Sequence, residues 1–263
     1  MTEFAEKYGP WAMVTGASDG IGRAMAEDLA GRGLNLILVA RRQSLLEDLA
    51  TRLSGAHQIK VQVVAADLGD ADQVERVNQA GAAFDVGLLA ACAGFGTAGD
   101  MLDINAETEL EVIDVNCRAV MQMTHAFGHR LAQRGRGGIV LMSSIVAFQG
   151  VAGSANYAAT KAYVQTLAEG IRPELAKRGV DVVASAPGPV ATGFAARADM
   201  VMSGAAAPEV VARQTLDALG RRGLVRPGFM SKFLGYNLAI LPRFGRRMVM
   251  RQVMSGMTKH QKA

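Results

Sequence analysis

Apolar residues occur along this chain in two alternating kinds of segment. Short runs that are apolar at nearly every position alternate with longer segments whose apolar residues recur every three or four positions. The first kind is typical of strands buried on both faces, and the second is typical of helices with one apolar face. The short runs predict strands at residues 11–14, 34–39, 59–65, 86–91, 138–142 and 180–184.

The longer segments predict a helix after each of these strands. They cover residues 20–32, 44–53, 70–80, 107–134, 155–177 and 208–219, and Pro173 is expected to bend or end a turn of the fifth helix. This alternation predicts an α/β fold with a doubly wound parallel sheet, the Rossmann fold, whose ligands bind at the carboxyl ends of the strands. We expect one domain at residues 1–227 and a helical C-terminal extension at residues 228–263.

A glycine-rich turn follows the first predicted strand, with the sequence TGASDGIG at residues 15–22. Glycines at a strand–helix junction let the backbone approach a pyrophosphate, and the N-terminus of the next helix presents free N–H groups to it. The alternative is a tight turn without a ligand. The residues expected to contact a dinucleotide here are Gly16, Ser18, Asp19, Gly20, Ile21 and Gly22.

Two arginines, Arg41 and Arg42, follow the second strand, where an NAD-binding protein normally carries a carboxylate for the ribose hydroxyls. Guanidinium groups suit a 2′-phosphate, which favours NADP over NAD. Asp19 is a weak argument against this choice, because it adds a negative charge near the same position. A solvated start of the next helix is the alternative interpretation of the two arginines.

Tyr157 and Lys161 are four residues apart, a spacing that places them on one face of a helix. A nearby ammonium group lowers the pKa of a phenol, so that Tyr157 could protonate an alkoxide or deprotonate an alcohol. Ser144 follows the strand at residues 138–142 and could donate a hydrogen bond to the same substrate oxygen. In isolation, the Tyr–Lys pair would be an ordinary helix face.

Taken as a set, these motifs resemble the short-chain dehydrogenase/reductase family over residues 10–226, and in particular its NADP-dependent 3-oxoacyl and hydroxysteroid-type members. The residues that carry the resemblance in order and spacing are those of segment 15–22, Asp67, Leu68, Ala93, Gly94, Asn116, Ser144, Tyr157, Lys161, Pro187, Gly188, Val190 and Thr192.

The resemblance implies a role for each of these residues. Tyr157 would be the acid/base, and Lys161 would lower its pKa and bind the nicotinamide ribose. Ser144 would donate to the substrate oxygen, and Asn116 would hold a water that connects Lys161 to solvent. The remaining residues would bind the cofactor: Asp67 and Leu68 at the adenine, Pro187, Gly188, Val190 and Thr192 at the nicotinamide, and Ala93 and Gly94 as further contacts.

The chain departs from the family pattern after the fourth strand. The family usually has Asn-Asn-Ala-Gly there, whereas this chain has ACAG at residues 91–94. The missing amides are expected to brace the central strands, so that local stability or the geometry of the cofactor loop could differ. Cys92 is expected to be a small core residue rather than a reactive one.

The formal net charge of +4 hides a strong asymmetry along the 263 residues. Ten of the 28 basic residues and none of the 24 acidic ones lie from Arg221 onward, so residues 1–220 carry a net charge of −6. The C-terminal extension has a basic amphipathic pattern, with arginines at 243, 247 and 251. It could pack on its own domain and close the substrate site, contact another subunit, lie on an anionic membrane, or dock an acidic acyl carrier.

Composition narrows the setting further. Residues 1–10 carry no apolar signal-peptide core, no apolar run reaches membrane-spanning length, and two cysteines cannot form a disulfide framework. We therefore expect a cytoplasmic protein, with peripheral contact to the inner face of a membrane as an alternative. His125 and His129 have a metal-compatible spacing but no partner ligands, so we expect no metal. A nucleic-acid partner is not expected, and a homodimer or homotetramer is.

These observations predict an NADP-dependent oxidoreductase that transfers a hydride between nicotinamide and a ketone or secondary alcohol. Small apolar residues at 200–207 follow the predicted nicotinamide loop and could form a lid, which favours an apolar substrate such as a 3-oxoacyl chain or a steroid-like ring. The alternative hypothesis is a nucleotide-binding regulatory or scaffold protein without turnover.

Overall fold

Seven parallel strands form one sheet in the order β3-β2-β1-β4-β5-β6-β7. The computed structural model of the chain describes residues 2–202 and 204–262. Each connection between two strands that follow each other in the chain contains at least one helix, as is usual for parallel strands. The strands are β1 Trp11–Thr15, β2 Asn35–Ala40, β3 Val61–Ala65, β4 Val86–Ala91, β5 Gly137–Met142, β6 Val180–Ser185 and β7 Leu224–Val225.

Eleven α-helices are present in the described residues. Those that flank the sheet are α1 Glu3–Tyr8, α2 Gly20–Gly31, α3 Gln43–His57, α4 Ala71–Ala82, α5 Ala106–Ile113, α6 Ala119–Arg134, α7 Ala155–Ala176 and α9 Pro208–Ala218. A short helix, α8 Phe194–Arg197, lies in the loop after β6, and the C-terminal extension forms α10 Phe229–Ile240 and α11 Arg243–Met257.

The sheet separates two apolar layers. Side chains of α2, α3 and α9 pack on one face of the strands, and side chains of α4, α6 and α7 pack on the other. Successive residues of β1 show this directly, because Val14 belongs to the first layer and Met13 to the second. Burial on both faces explains why the central strands are apolar without alternation, whereas the edge strand β3 is only partly buried.

The doubly wound parallel fold predicted from the sequence is confirmed, with three corrections of detail. The single helix predicted at residues 107–134 is divided into α5 and α6 by a π-helical turn, Asp114–Arg118. Pro173 does not end α7, since the helix continues to Ala176, and the alternative of a bend there stays a prediction. Helices α1 and α8 and the two-residue strand β7 were not predicted, because each is too short to show a period.

The C-terminal extension packs against the body through a third apolar cluster. Leu238 of α10 and Met250 and Met254 of α11 join Ile145 and Val151, which lie between β5 and α7. This contact was one of the alternatives that the sequence left open. The predicted boundary between residues 227 and 228 therefore falls between two parts of the chain that share a core. The first residue of the predicted domain, Met1, and the last residue of the predicted extension, Ala263, lie outside the described residues.

Candidate active site

The glycine-rich turn brings bare backbone together at the carboxyl end of β1. Gly16 has a φ of +67°, and a Cβ there would lie 2.9 Å from the Cα of Ala93. A Cβ on Gly22 would overlap the Gly16 carbonyl oxygen. Asp19 caps α2, its Oδ1 accepting a hydrogen bond of 2.7 Å from the Gly20 N–H. The glycines thus leave a cradle at a helix N-terminus that a larger residue would fill.

A groove of about 450 Å³ extends from this turn across the ends of β2, β3 and β4. It brings together most of the residues predicted to bind the cofactor, including Thr192 of the predicted nicotinamide loop; they are Gly16, Ser18, Asp19, Gly20, Ile21, Gly22, Arg41, Arg42, Asp67, Leu68, Ala93, Gly94 and Thr192.

Both arginines after β2 line this groove. Arg42 donates a hydrogen bond of 3.1 Å from Nη2 to the Ser18 hydroxyl. The Nη1 of Arg41 lies 3.7 Å from Asp67 Oδ2 and 3.6 Å from Glu111 Oε1. The groove therefore presents guanidinium groups at the end of β2, each held in place by a polar neighbour.

A second cavity, of about 150 Å³, adjoins the groove and contains the predicted reacting groups. Ser144, Tyr157 and Lys161 line it, as do the predicted nicotinamide-loop residues Pro187, Gly188 and Val190. Residues that line both spaces are Ile21, Cys92, Gly94, Thr192 and Phe194. The groove and the cavity are therefore parts of one site.

Short elements after β5 position the hydroxyl and phenol groups. Ser144 begins a 3₁₀ turn, Ile145–Phe148, and its Oγ accepts a hydrogen bond of 3.4 Å from the Val146 N–H. The chain then returns so that Tyr157 lies in the first turn of α7, within reach of a side-chain hydrogen bond with Ser144. The thirteen-residue spacing between the two hydroxyls is thus closed by one turn and one loop.

Burial has opposite effects on the two titratable groups of α7. It raises the pKa of Tyr157 to about 12, and the hydrogen bond with Ser144 only partly offsets this increase. It lowers the pKa of Lys161 to about 8. The predicted lowering of the Tyr157 pKa by Lys161 is not present in this structure. The Lys161 Nζ instead donates a hydrogen bond of 2.9 Å to the Met142 carbonyl and lies 5.7 Å from the centre of the phenol ring.

Asn116 lies in the π-helical turn between α5 and α6, and it is fully buried. Its Nδ2 donates hydrogen bonds to the Phe95 carbonyl at 2.8 Å and to the Thr160 hydroxyl at 3.0 Å, and its Oδ1 accepts one from the Phe95 N–H at 3.2 Å. One amide therefore connects the loop after β4 to α7 beside Lys161. The predicted role of Asn116 in holding a water stays a prediction.

Cys92, where the family usually has asparagine, lies at the junction of the groove and the cavity. Burial raises the pKa of its thiol to about 12, so the thiol is neutral at physiological pH. This result agrees with the expectation of an unreactive side chain.

Several residues that shape the site were not among the predicted site residues. Arg197 of α8 stacks on the Phe95 ring, with 3.5 Å between the guanidinium carbon and the ring centre, and its Nη2 lies 3.2 Å from Glu111 Oε1. Phe194 packs on Tyr157 with 5.3 Å between ring centres. Because these residues meet only through the loop after β6, no local sequence pattern could have identified them.

Methionines and other apolar side chains form most of the cavity wall opposite Tyr157. Met200 and Met202 come from the segment predicted to form a lid, of which Ser203 lies outside the described residues. The C-terminal extension contributes Leu234, Met250, Val253, Met254 and Met257. The extension is thus part of the site.

A model of the short chain dehydrogenase family matches residues 10–200. The chain belongs to this family. A 7beta-hydroxysteroid dehydrogenase from Clostridium sardiniense is 33% identical over 189 residues, which cover 72% of each chain. The structure of a 7beta-hydroxysteroid dehydrogenase studied for its stereoselectivity matches with a TM-score of 0.87 and 25% identity, covering 95% of this chain and 99% of the other.

A short-chain dehydrogenase from Sphingobium yanoikuyae, solved in complex with NADPH, also matches, with a TM-score of 0.78 and 29% identity over 88% of this chain and 93% of the other. Membership of the family makes this chain an oxidoreductase by homology, acting on CH–OH groups with a nicotinamide cofactor.

Two further observations concern residues 2–202 and 204–262. No helix in these ranges is long and apolar enough to span a bilayer. No three side chains of His, Cys, Asp and Glu in them form a potential metal site, and the rings of His125 and His129 pack edge to face, 4.6 Å apart.

Proposed function

We propose that this protein is an NADP-dependent reductase of apolar ketones, or the dehydrogenase of the matching secondary alcohols. The observation that carries the proposal is the junction of two differently lined spaces. A groove with glycine backbone and arginines runs directly into an apolar cavity that contains Ser144, Tyr157 and Lys161. A hydride donor in the groove and a carbonyl in the cavity would therefore meet beside these three side chains.

The residues of the groove fit a dinucleotide phosphate. The cradle around Gly16 and Gly22 admits a pyrophosphate at the N-terminus of α2, and Arg41 and Arg42 supply charge-assisted donors for a 2′-phosphate. When bound, the nicotinamide would supply the hydride. The NADPH complex of the Sphingobium relative supports the choice of NADP.

Tyr157 would supply the proton in the reductive direction. Because burial raises its pKa to about 12, the phenol is protonated at neutral pH and ready to donate to a developing alkoxide. Ser144 can donate a hydrogen bond to the same oxygen and stabilise its negative charge. Lys161 places an ammonium group near these side chains. Because burial lowers its pKa to about 8, a growing fraction of the molecules carries a neutral Lys161 as the pH approaches 8.

The cavity supports an apolar substrate of the 3-oxoacyl or steroid-like class. Its wall combines the backbone after β6 with flexible methionine side chains, which adapt to irregular apolar shapes. The similarity to 7beta-hydroxysteroid dehydrogenases supports a steroid-like substrate. Assembly as a homodimer or homotetramer and a cytoplasmic location remain part of the proposal.

The decisive experiment measures NADPH oxidation with a panel of ketosteroids and 3-oxoacyl thioesters in wild type and Tyr157→Phe. The variant should lose at least about a hundredfold in kcat while NADPH binding, followed by fluorescence, is unchanged, because only the proton donor is removed. Tyr163→Phe is the matched control, since Tyr163 is in the same helix and 40% exposed.

Two outcomes would contradict the proposal. Full turnover by Tyr157→Phe would remove Tyr157 as the acid. NADPH binding by the wild type without turnover on any ketone would instead favour the alternative of a nucleotide-binding regulatory or scaffold protein.

A further inference from the structure

Helix α10 is apolar on two opposite faces. Its inner face, which includes Leu234, Gly235 and Leu238, packs against the body of the protein. The opposite face carries a row of large apolar side chains at positions i, i+4, i+7 and i+11, which we call the outer stripe. The outer stripe consists of Phe229, Phe233, Tyr236 and Ile240, which are 80, 53, 66 and 84% exposed.

A helix with large apolar side chains on two opposite faces is ordinarily covered on both of them. Single exposed apolar residues are common on protein surfaces, but four large ones aligned along three turns form a continuous patch. Phe229 and Phe233 stack on each other, with 6.1 Å between ring centres, so the stripe presents packed rings to solvent. Folding of this chain alone leaves more than half of each of these four side chains exposed, which indicates that another apolar phase covers them.

The charge of the extension restricts what that phase can be. Residues 228–263 contain seven lysines and arginines and no aspartate or glutamate. Arg243, Arg247 and Arg251 are exposed on α11, and within residues 2–202 and 204–262 they take part in no ion pair. Phe244 and Met248 are exposed on the same helix, 69 and 58% respectively.

Arg246, which lies between Arg243 and Arg247 in the sequence, has a structural role. Arg246 donates hydrogen bonds from Nε to the Leu241 carbonyl at 2.9 Å and from Nη2 to the Ala239 carbonyl at 3.1 Å. It thereby caps the end of α10 and fixes the turn into α11. The exposed arginines of α11 are therefore held in a defined position relative to the outer stripe.

A second copy of this chain is a poor match for this surface. In a two-fold symmetric interface built from two extensions, both partners are basic and neither extension supplies a carboxylate. Anionic lipid headgroups supply the missing negative charge, and the adjoining acyl chains supply an apolar phase for aromatic side chains.

We propose that the outer stripe of α10 and the exposed arginines of α11 bind the surface of an anionic membrane. The inner face of α11 carries Met250 and Met254, which line the substrate cavity. Phe244 and Met248 are on the exposed side of the same helix. One helix would therefore contact lipid on one side and the cavity on the other, so that apolar substrate dissolved in the membrane has a short path to the site. This last step rests on the proposed function, whereas membrane binding itself does not.

The experiment measures co-sedimentation of the full chain with phosphatidylcholine vesicles that contain or lack phosphatidylglycerol. We expect binding only to the anionic vesicles, weakened by added salt because the headgroup attraction is screened. Phe233→Ser with Ile240→Ser should lower the partition coefficient at least about tenfold, through loss of buried apolar area. Leu102→Ser is the control, since Leu102 is 93% exposed outside the extension.

A second pair of variants tests the charge separately from the apolar stripe. Arg247→Glu with Arg251→Glu should also lower the partition coefficient at least about tenfold. Lys177→Glu with Arg178→Glu changes the net charge equally at exposed positions beyond the end of α7 and should have a much smaller effect. Both changes in the extension alter only exposed side chains, so turnover of a water-soluble ketone without lipid should equal that of the wild type.

Three results would overturn the inference. One is failure of the intact chain to sediment with anionic vesicles. Another is an equal loss of binding in the control variants. The third is a fall in the mass of a soluble oligomer on changing Phe233 and Ile240, without vesicle binding by the wild type, which would identify a subunit interface. A chain that binds vesicles but turns over no ketone would retain this inference and contradict only the proposed function.

Discussion

Burial changes the pKa values of Tyr157 and Lys161 more than charged neighbours do. Lys161 is 6% exposed. On folding, its ammonium group loses contact with water and gains one hydrogen bond, to the Met142 carbonyl. The pKa therefore falls from 10.5 to about 8, which means that the folded protein binds this proton less tightly than the unfolded chain. The consequence is a cost to stability that depends on pH.

Replacement of Lys161 by methionine should change the pH dependence of stability in a defined way. Between about pH 8 and 10.5 the unfolded wild type holds a proton that the folded state has lost, so the wild type should gain stability as pH rises. Relative to Lys161→Met, the gain between pH 7 and pH 10 should be roughly 2–3 kcal/mol. Urea unfolding across this range measures it, and parallel curves for the two proteins would contradict the assigned pKa.

Arg41 should determine the choice of cofactor. Its loss would leave the Asp67 and Glu111 carboxylates beside the expected position of a 2′-phosphate. Arg41→Ala should raise the KM for NADPH at least about tenfold and change the KM for NADH far less. Arg52→Ala, which removes an exposed arginine paired with Glu27, is the control. Equal effects of Arg41→Ala on both cofactors would show that Arg41 does not select NADP.

Two elements shape the site in ways that their local sequence patterns do not show. The π-helical turn Asp114–Arg118 places Asn116 where its amide contacts Phe95 and Thr160. Such turns are frequent at functional sites, because the extra residue redirects a side chain without ending the helix. Helix α11 is the second case, since its inner face completes the cavity wall from a region far along the chain.

Shortening the inner face of α11 should affect the substrate and not the cofactor. Met254→Ala removes side-chain atoms from the cavity wall, so the KM for a bulky apolar ketone should rise several-fold through lost apolar contact. The KM for NADPH should stay the same, because Met254 does not line the groove. Met248→Ala is the matched control on the exposed face of the same helix. Unchanged substrate KM in Met254→Ala would place the substrate elsewhere.

Across the whole molecule, the third apolar cluster joins the extension to the body. It includes Ile145 and Val151 before α7 together with Leu238, Met250 and Met254 of the extension, and Tyr157 packs against it. A shared core of this kind favours unfolding of the extension and the body as one unit.

The single tryptophan provides a test of this cooperativity. Trp11 lies in β1 and packs on Phe84, with 4.4 Å between ring centres. Met254→Ala should destabilise the protein by about 2–5 kcal/mol and lower the denaturation midpoint that Trp11 fluorescence reports. If the extension unfolded separately, the midpoint seen by Trp11 would stay at its wild-type value.

The sequence by itself determined the doubly wound sheet and which residues lie together at the carboxyl ends of its strands. Continuous apolar strands, the glycine-rich turn and the spacing of Tyr157 and Lys161 are local patterns, and parallel strands bring their carboxyl ends to one edge whatever the details. The structure places Asn116, Ser144 and the predicted cofactor residues at that edge.

Only the tertiary structure decided three other features. Burial sets the direction of the Tyr157 and Lys161 pKa values, and burial depends on every element packed around α7. The cavity wall combines residues from Ile21 to Met257, which no local period connects. Helix α10 has apolar side chains on two opposite faces, so its sequence could not show which face docks on the body and which carries Phe233 and Ile240 outward.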